Sequence, residues 1–222
     1  MNTYSAIIPI KFNSERVPGK NFRLLNGKPL YQHILHTLLD ISKISEIVIN
    51  TDTPINEFGG LFEDSRLIYS SRPSDLCGEY VSMNDIISYE LKRSSSNYFF
   101  MTHTTNPLLR SETISRLLFE FETLGQDQDS VVSVTEYFGR FLSLDGMPLN
   151  HNPQQLLRTQ DLKPVLFENS CGYVFSKHSF LESNSRIGLN PKFVSTPKIE
   201  SIDIDDEEDF FIAESIVRRL DV

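Results

Sequence analysis

Short apolar runs alternate along this chain with longer segments in which apolar residues recur every three or four positions. The first run, Tyr4–Ile10, is almost wholly apolar, as a strand covered on both faces would be. Weaker or shorter runs predict further strands at residues 46–50, 67–69, 98–102, 130–135 and 172–175. Between them, Leu30, Ile34, Leu35, Leu38 and Leu39 mark one face of a helix. Residues 82–92, with Ile86, Ile87 and Leu91, and residues 112–121, with Ile114, Leu117, Leu118 and Phe121, carry the same period. A closing helix is expected over Glu207–Leu220. This alternation predicts an α/β fold, a mostly parallel sheet with helices on both faces.

The rhythm breaks over residues 136–165. Gly139, Gly146, Pro148, Pro153 and Pro164 stand there among Phe138, Phe141, Leu142 and Leu144, a mixture too long and too apolar for a plain linker. Two readings remain open, an arm that contacts a second subunit or an ordinary surface insertion. The rest reads as a single domain over residues 1–222 with no internal repeat, long enough to bury a real core.

Composition adds mainly exclusions. No apolar stretch approaches the roughly 20 residues that span a bilayer, so no membrane partner is expected. The start, Met1-Asn2-Thr3-Tyr4, lacks a cationic region and a cleavage pattern, so no signal peptide is expected. Cys77 and Cys171 have neither metal-ligand nor redox spacing, which fits a reduced, cytoplasmic setting. A net charge of −9 argues against nucleic acid as a partner. That charge is uneven, however. Residues 203–209 are dense in carboxylates, whereas Lys11, Arg16, Lys20, Arg23 and Lys28 all fall in the first thirty positions.

The uneven charge locates the candidate chemistry. The first strand runs straight into a polar loop carrying Lys11, Asn13, Ser14, Arg16, Lys20 and Asn21. Ligands of open α/β sheets bind beyond the carboxyl ends of the strands. Three cations there can meet phosphate oxygens, and the amides and hydroxyl add neutral hydrogen bonds. The loop is not a Walker P-loop, because Gly-x4-Gly-Lys-Ser/Thr is absent. Asp203-Ile204-Asp205 has the spacing that puts two carboxylates on one side of a strand, and such a pair with substrate phosphates is a usual way to hold Mg²⁺. The competing reading, an acidic helix N-terminus, suits Asp206, Glu207 and Glu208 better than the alternation through Asp203. His103 follows a strong strand and reads either as a hydrogen-bonded structural residue or as an acid–base group. Arg158 is a cation suited to an acidic acceptor, and Tyr173 reads equally as core or as site. His33, His36, His151 and His178 have no convergent partners in sequence and are expected in the core or on the surface.

Five segments in order carry a family resemblance: residues 8–30 with Pro9, Lys11, Ser14, Arg16 and Pro18-Gly19-Lys20-Asn21; Ser71-Arg72-Pro73-x-x-Leu76; Thr105-Asn106-Pro107-Leu108; Glu168-Asn169-Ser170; and Ser201-Ile202-Asp203-Ile204-Asp205. Together they resemble the sugar-acid cytidylyltransferases, the family of the CMP-N-acetylneuraminate synthetases and of the enzymes that activate legionaminic, pseudaminic and 3-deoxy-manno-octulosonic acids. The resemblance runs nearly end to end. It implies a Rossmann-like nucleotidyltransferase fold with a protruding region for homodimerisation. It also implies a reaction, transfer of CMP from CTP to the anomeric hydroxyl of an acidic sugar, with Mg²⁺ and release of pyrophosphate.

By that resemblance Lys11, Ser14, Arg16, Lys20 and Asn21 surround CTP, with Arg72 and Ser82 near the nucleotide. Asp203 and Asp205 hold the metal, while Lys20 and Arg16 stabilise the leaving pyrophosphate. His103, Arg158, Asn169 and Tyr173 lie towards the sugar, Arg158 reaching the partner subunit's site. The chain departs from the pattern at Lys11, usually arginine, at His103, usually glutamine, and at Thr104 and Leu109, usually proline and arginine. The last three fall on the acceptor side and leave other nonulosonic acids, an octulosonic acid or a phosphonate open as acceptors. From the residues alone a metal-dependent glycosyltransferase also stays open, since Asp-x-Asp serves nucleotide-sugar donors too. The cationic first loop favours a triphosphate.

Overall fold

The computed structural model describes residues 2–14, 16–59, 61–78 and 80–220. In chain order it contains β1 (Tyr4–Ile10), β2 (Leu24–Leu25), β3 (Lys28–Pro29), α1 (Leu30–Leu39), β4 (Ile44–Thr51), β5 (Leu67–Ser71), α2 (Met83–Arg93) and β6 (Tyr98–Met101). It continues with α3 (Ser111–Glu122), β7 (Ser130–Tyr137), β8 (Val165–Ser176), α4 (Lys177–Ser183), β9 (Pro191–Ser195) and α5 (Glu207–Leu220). Seven strands form one sheet in the order β5-β4-β1-β6-β8-β7-β9. The pairs β1–β4, β1–β6, β4–β5 and β7–β9 are parallel, as alternation with helices requires. β8 runs against both of its neighbours, β6 and β7, so one strand reverses the otherwise parallel direction.

Every residue of β1 is buried, because the strand is central and covered on both faces. Ala6, Ile8 and Ile10 pack with Ile34, Leu35 and Leu38 of α1 and with Ile114, Leu117 and Leu118 of α3. Ile7 points the other way, into a layer with Ile87 and Leu91 of α2 and Phe180 of α4. At Gly172 on β8 the close layer leaves no room for a side chain, since a Cβ would lie 2.7 Å from Phe100 Cε2 and 2.9 Å from Leu117 Cδ1. β2 and β3 form a hairpin through Asn26 and Gly27, whose φ values of 49° and 78° are those of a tight two-residue turn. That hairpin supplies Leu25 to a third cluster, with Leu30, Leu108 and Ile204 against Phe210, Ala213 and Val217 of α5.

The break in rhythm corresponds to the connection between β7 and β8. Residues 138–164 contain one isolated bridge, Leu142 to Pro148, and one short turn of helix, Thr159–Asp161. Leu144, Met147, Leu149 and Leu156 are exposed there. One expectation is corrected. Asp203-Ile204-Asp205 lies in no strand but in an irregular segment just before α5. The apolar alternation that suggested a strand comes from Ile204, which is fully buried in the α5 cluster rather than in the sheet.

Candidate active site

A cleft of about 530 Å³ opens beyond the carboxyl ends of β1, β4 and β6. Lys11, Asn13, Ser14, Arg16, Lys20 and Asn21 line it, together with Asp52, Arg72, Met83, His103 and Thr105. Its lining carries four cations, Lys11, Arg16, Lys20 and Arg72, against one carboxylate, Asp52. The sign of charge is therefore reversed locally in a chain whose net charge is −9. Such a pocket attracts polyanions whatever the charge of the whole molecule.

The loop after β1 is tied down by its own polar groups. The Phe12 N–H donates to Asp52 Oδ1 (2.7 Å), and Asn21 Nδ2 donates to the Lys11 carbonyl (2.7 Å). Asn21 Oδ1 accepts from the Thr104 hydroxyl (2.6 Å), so the buried amide of Asn21 shapes the loop rather than standing free in the cleft. Gly19, with φ of 64°, turns the chain into the short helix that carries Lys20. Arg72 forms the opposite wall. Its Nε donates to Asn50 Oδ1 (2.6 Å) and its Nη2 to the Asn50 carbonyl (2.9 Å). Asn50 Nδ2 and the Ser70 hydroxyl in turn donate to buried Glu90 (2.5 and 2.6 Å). This relay fixes a buried guanidinium at the rim of two strands. Ser82 caps α2, its hydroxyl accepting from the Asp85 N–H (3.1 Å) and donating to the Asp85 carboxylate (2.8 Å). It is not part of the cleft lining, although Met83, its neighbour, is.

The acidic segment meets the cationic loop at one corner. Arg16 Nη2 lies 2.7 Å from Asp205 Oδ1, and Lys20 Nζ lies 3.9 Å from the same oxygen. Arg16 and Asp205 are both well exposed, so their pair contributes at most about 1 kcal/mol to stability and positions charge rather than holding the fold. Three backbone contacts hold the segment itself. Ile204 N–H donates to the Thr105 carbonyl (2.9 Å), Asn106 Nδ2 to the Ile202 carbonyl (3.3 Å), and Lys20 Nζ to the Ile204 carbonyl (2.6 Å). Burial lowers the Lys20 pKa, outweighing the attraction of Asp205 and Asp203. Burial likewise raises that of Asp203, and the nearby Asp205 charge adds to it, while the Thr105 hydroxyl and Lys20 act in the other direction. Asp203 Oδ1 is buried without a hydrogen-bond partner, and a buried bare carboxylate oxygen is costly unless a cation meets it. Among the described residues no group of three or more His, Cys, Asp or Glu is placed to hold a metal. The pair Asp203 and Asp205 fits an ion that takes one or two carboxylates and completes its shell with phosphate oxygens and water.

His103 stands two residues beyond the end of β6 and lines the cleft, with Lys20 and Arg186 acting on its ring. Burial and those two cations push its pKa down to about 3, which favours the neutral ring. Behind it, Tyr173 is buried on β8, and its hydroxyl donates to Glu168 and accepts from Arg186 Nη2 (3.0 Å). Asn169 is also interior. Its Nδ2 donates to the Thr135, Thr196 and Ser201 hydroxyls, and its Oδ1 accepts from the Ser133 hydroxyl (2.7 Å) and the Cys171 N–H (3.2 Å). Every polar atom of that amide is occupied. Arg158 stands apart from the cleft on the 138–164 connection, exposed and paired with Asp161 (2.7 Å).

The structure thus gathers Lys11, Ser14, Arg16, Lys20, Asn21, Arg72 and His103 around one cleft, with Asp203 and Asp205 at its corner through Thr105, Lys20 and Arg16. It adds Arg186, which no sequence pattern marks: the residue lies in a polar turn after α4, 83 positions along the chain from His103. Asn50 and Glu90, buried polar residues behind Arg72, were equally silent.

The chain matches the model of the cytidylyltransferase family over residues 5–201. It is 27% identical to the CMP-N,N'-diacetyllegionaminic acid synthase of Legionella pneumophila, over 96% of this chain and 95% of that protein. It is 24% identical to the N-acylneuraminate cytidylyltransferase of Streptococcus agalactiae serotype V over 92% of this chain, and spans about half of that longer protein (51%). Among solved structures, the 4-diphosphocytidyl-2C-methyl-D-erythritol synthase of Anaerococcus prevotii superposes with a TM-score of 0.70 at 15% identity, covering 98% of this chain and 97% of the other, a likeness of fold. No helix among the described residues is long and apolar enough to cross a membrane. With a family model covering most of its length and the cation-lined cleft at the expected strand ends, this chain belongs to the cytidylyltransferase family.

Proposed function

We propose that this protein transfers CMP from CTP to the anomeric hydroxyl of a nonulosonic sugar acid of the sialic or legionaminic type, releasing pyrophosphate. The carrying observation is the cleft with four cations, in an acidic chain, with Asp205 meeting Arg16 (2.7 Å) and Lys20 (3.9 Å) at one of its corners. The names and coverage of the Legionella and Streptococcus relatives support CTP as donor and a nonulosonic acid as acceptor.

In this reading Lys11, Ser14, Arg16 and Lys20 bind the triphosphate, with Asn21 shaping their loop and Arg72 forming the far wall. Asp203 and Asp205 would hold Mg²⁺, which neutralises phosphate charge when bound. The acceptor hydroxyl attacks the α-phosphorus in line, its oxygen forming the new P–O bond as the bond to pyrophosphate breaks and its proton passes to solvent. Transfer of this kind depends on positioning and charge neutralisation more than on covalent work by protein groups. Lys20, held by the Ile204 carbonyl, and Arg16, the more exposed of the two, carry the charge that offsets the leaving pyrophosphate. His103 lies on the acceptor side of Lys20, and Tyr173 and Asn169 act from behind it, as supports. Arg158 and the exposed leucines of residues 138–164 support a homodimer in which that connection meets the second copy's site.

Asp205→Asn tests the assignment. Pyrophosphate release from CTP with a sugar acid should fall at least a thousandfold, with circular dichroism unchanged. Full activity in that variant removes Asp205 from the metal site.

A further inference from the structure

Arg186 contacts His103 in a way that decides what the imidazole can do. Its guanidinium lies over the Tyr173 ring, 3.9 Å from the centroid, and Nη2 donates to the Tyr173 hydroxyl (3.0 Å). Glu168 Oε1, which accepts from that same hydroxyl, is 3.8 Å from Nη2. The Arg186 backbone N–H donates to Asn84 Oδ1 on α2 (3.3 Å), which anchors the turn that carries the side chain. The head group is thus fixed from several sides, with its side chain only 16% exposed. Nη1 then faces Met101 Sδ at 3.4 Å and His103 Nε2 at 3.3 Å.

A guanidinium has donors and no acceptor, so the nitrogen it faces must present a lone pair. A neutral imidazole carries one N–H, and if Nε2 accepts, the proton is on Nδ1. We infer that Arg186 holds His103 as the neutral Nδ1–H tautomer, so that the ring meets the acceptor acid as a hydrogen-bond donor and takes no proton from it. His103 lines the cleft, and among the described residues no hydrogen-bond partner for Nδ1 is found. Its complement is an oxygen of the acceptor, a carboxylate, carbonyl or hydroxyl. The charged groups acting on the ring, Arg186 and Lys20, both disfavour the imidazolium, and Glu168 meets Arg186 rather than His103. Arg186 is therefore a positioning residue, acting through His103. The acceptor half of this inference rests on the proposed reaction; the tautomer half does not.

Long-range ¹H–¹⁵N correlation on ring-labelled histidine, with His103 assigned by its disappearance in His103→Gln, reads the tautomer without any substrate. In the wild-type protein His103 should show a protonated Nδ1 and a bare Nε2, unchanged from pH 8 to pH 5. A protonated Nε2, or a ring that titrates in that range, overturns the inference whether or not any variant folds. Arg186→Met should release the ring to the Nε2–H form and raise the acceptor KM about tenfold, the loss of one hydrogen bond of roughly 1.4 kcal/mol, with the CTP KM within twofold. An unchanged tautomer in that variant overturns Arg186 as its cause. An unchanged acceptor KM in an active variant overturns the acceptor half. Pyrophosphate release that fails with every acid while the wild-type tautomer is as stated counts against the proposed reaction instead.

Discussion

Replacing Ile204 by alanine separates the anchoring of the carboxylates from the carboxylates themselves. Ile204 has no exposed surface, and its side chain sits among Leu25, Leu30, Leu108 and Phe210, with its N–H on Thr105 and its carbonyl on Lys20. The substitution removes three buried carbons, about 2.4 kcal/mol of transfer free energy at roughly 0.8 kcal/mol per methylene. The residual cavity brings the cost to about 3–4 kcal/mol, inside the usual range for this change. At roughly 2–4 °C per kcal/mol for a chain of this size, the melting temperature should fall by about 6–16 °C. Val217→Ala, in the same cluster but on α5, removes two buried carbons, about 1.6 kcal/mol of transfer free energy, without touching the segment that holds Asp203 and Asp205. Calorimetry measures both losses, and pyrophosphate release is then compared at a temperature well below both transitions. The kcat of Ile204→Ala should drop at least tenfold, while that of Val217→Ala stays within twofold. Equal kcat values in the two variants would refute the claim that Ile204 sets the position of the carboxylates.

Three further outcomes follow from the geometry. Cys171 is buried with its thiol pushed up to about 12 by burial, whereas Cys77 is half-buried, so Ellman's reagent should modify one thiol in the native protein and the second only on unfolding. His103 has a folded pKa of about 3 against an ordinary 6.5, so the unfolded chain binds one more proton between those values. Its contribution to stability is present above pH 6.5 and lost as pH falls towards 3, and His103→Gln should flatten the acid limb of stability against pH by about 1.4 kcal/mol per pH unit. An acid limb of unchanged slope would contradict the neutral ring. Leu144→Asp combined with Leu156→Asp should shift the particle from dimer to monomer in sedimentation velocity, and a wild-type monomer would exclude the proposed role of residues 138–164.

Much of this architecture is legible in the sequence because hydrophobic period encodes burial. β1 and α5 have the predicted bounds, and the break over 136–165 corresponds to the gap between Tyr137 and Val165. Direction is not encoded in that way, so the antiparallel course of β8 could not be read from its apolar run. β9 was hidden because it is a short edge strand whose Phe193 is exposed, and α4 because it spans only two turns. The strand inferred from the spacing of Asp203 and Asp205 is not there. Ile204 imitates strand alternation by filling the α5 cluster. The cationic loop could be found because its residues are contiguous, whereas Arg186 meets His103 across 83 positions and leaves no local trace.

The most direct test of the central claim is a pyrophosphate-release screen of the purified protein with Mg²⁺ across ATP, CTP, GTP and UTP and a panel of sugar acids that includes N-acetylneuraminic, legionaminic, pseudaminic and 3-deoxy-manno-octulosonic acids. Release should require CTP and be fastest with a nonulosonic acid, with a CMP-sugar formed in equal amount. Release with another nucleotide in preference to CTP, or none with any acid, would contradict it.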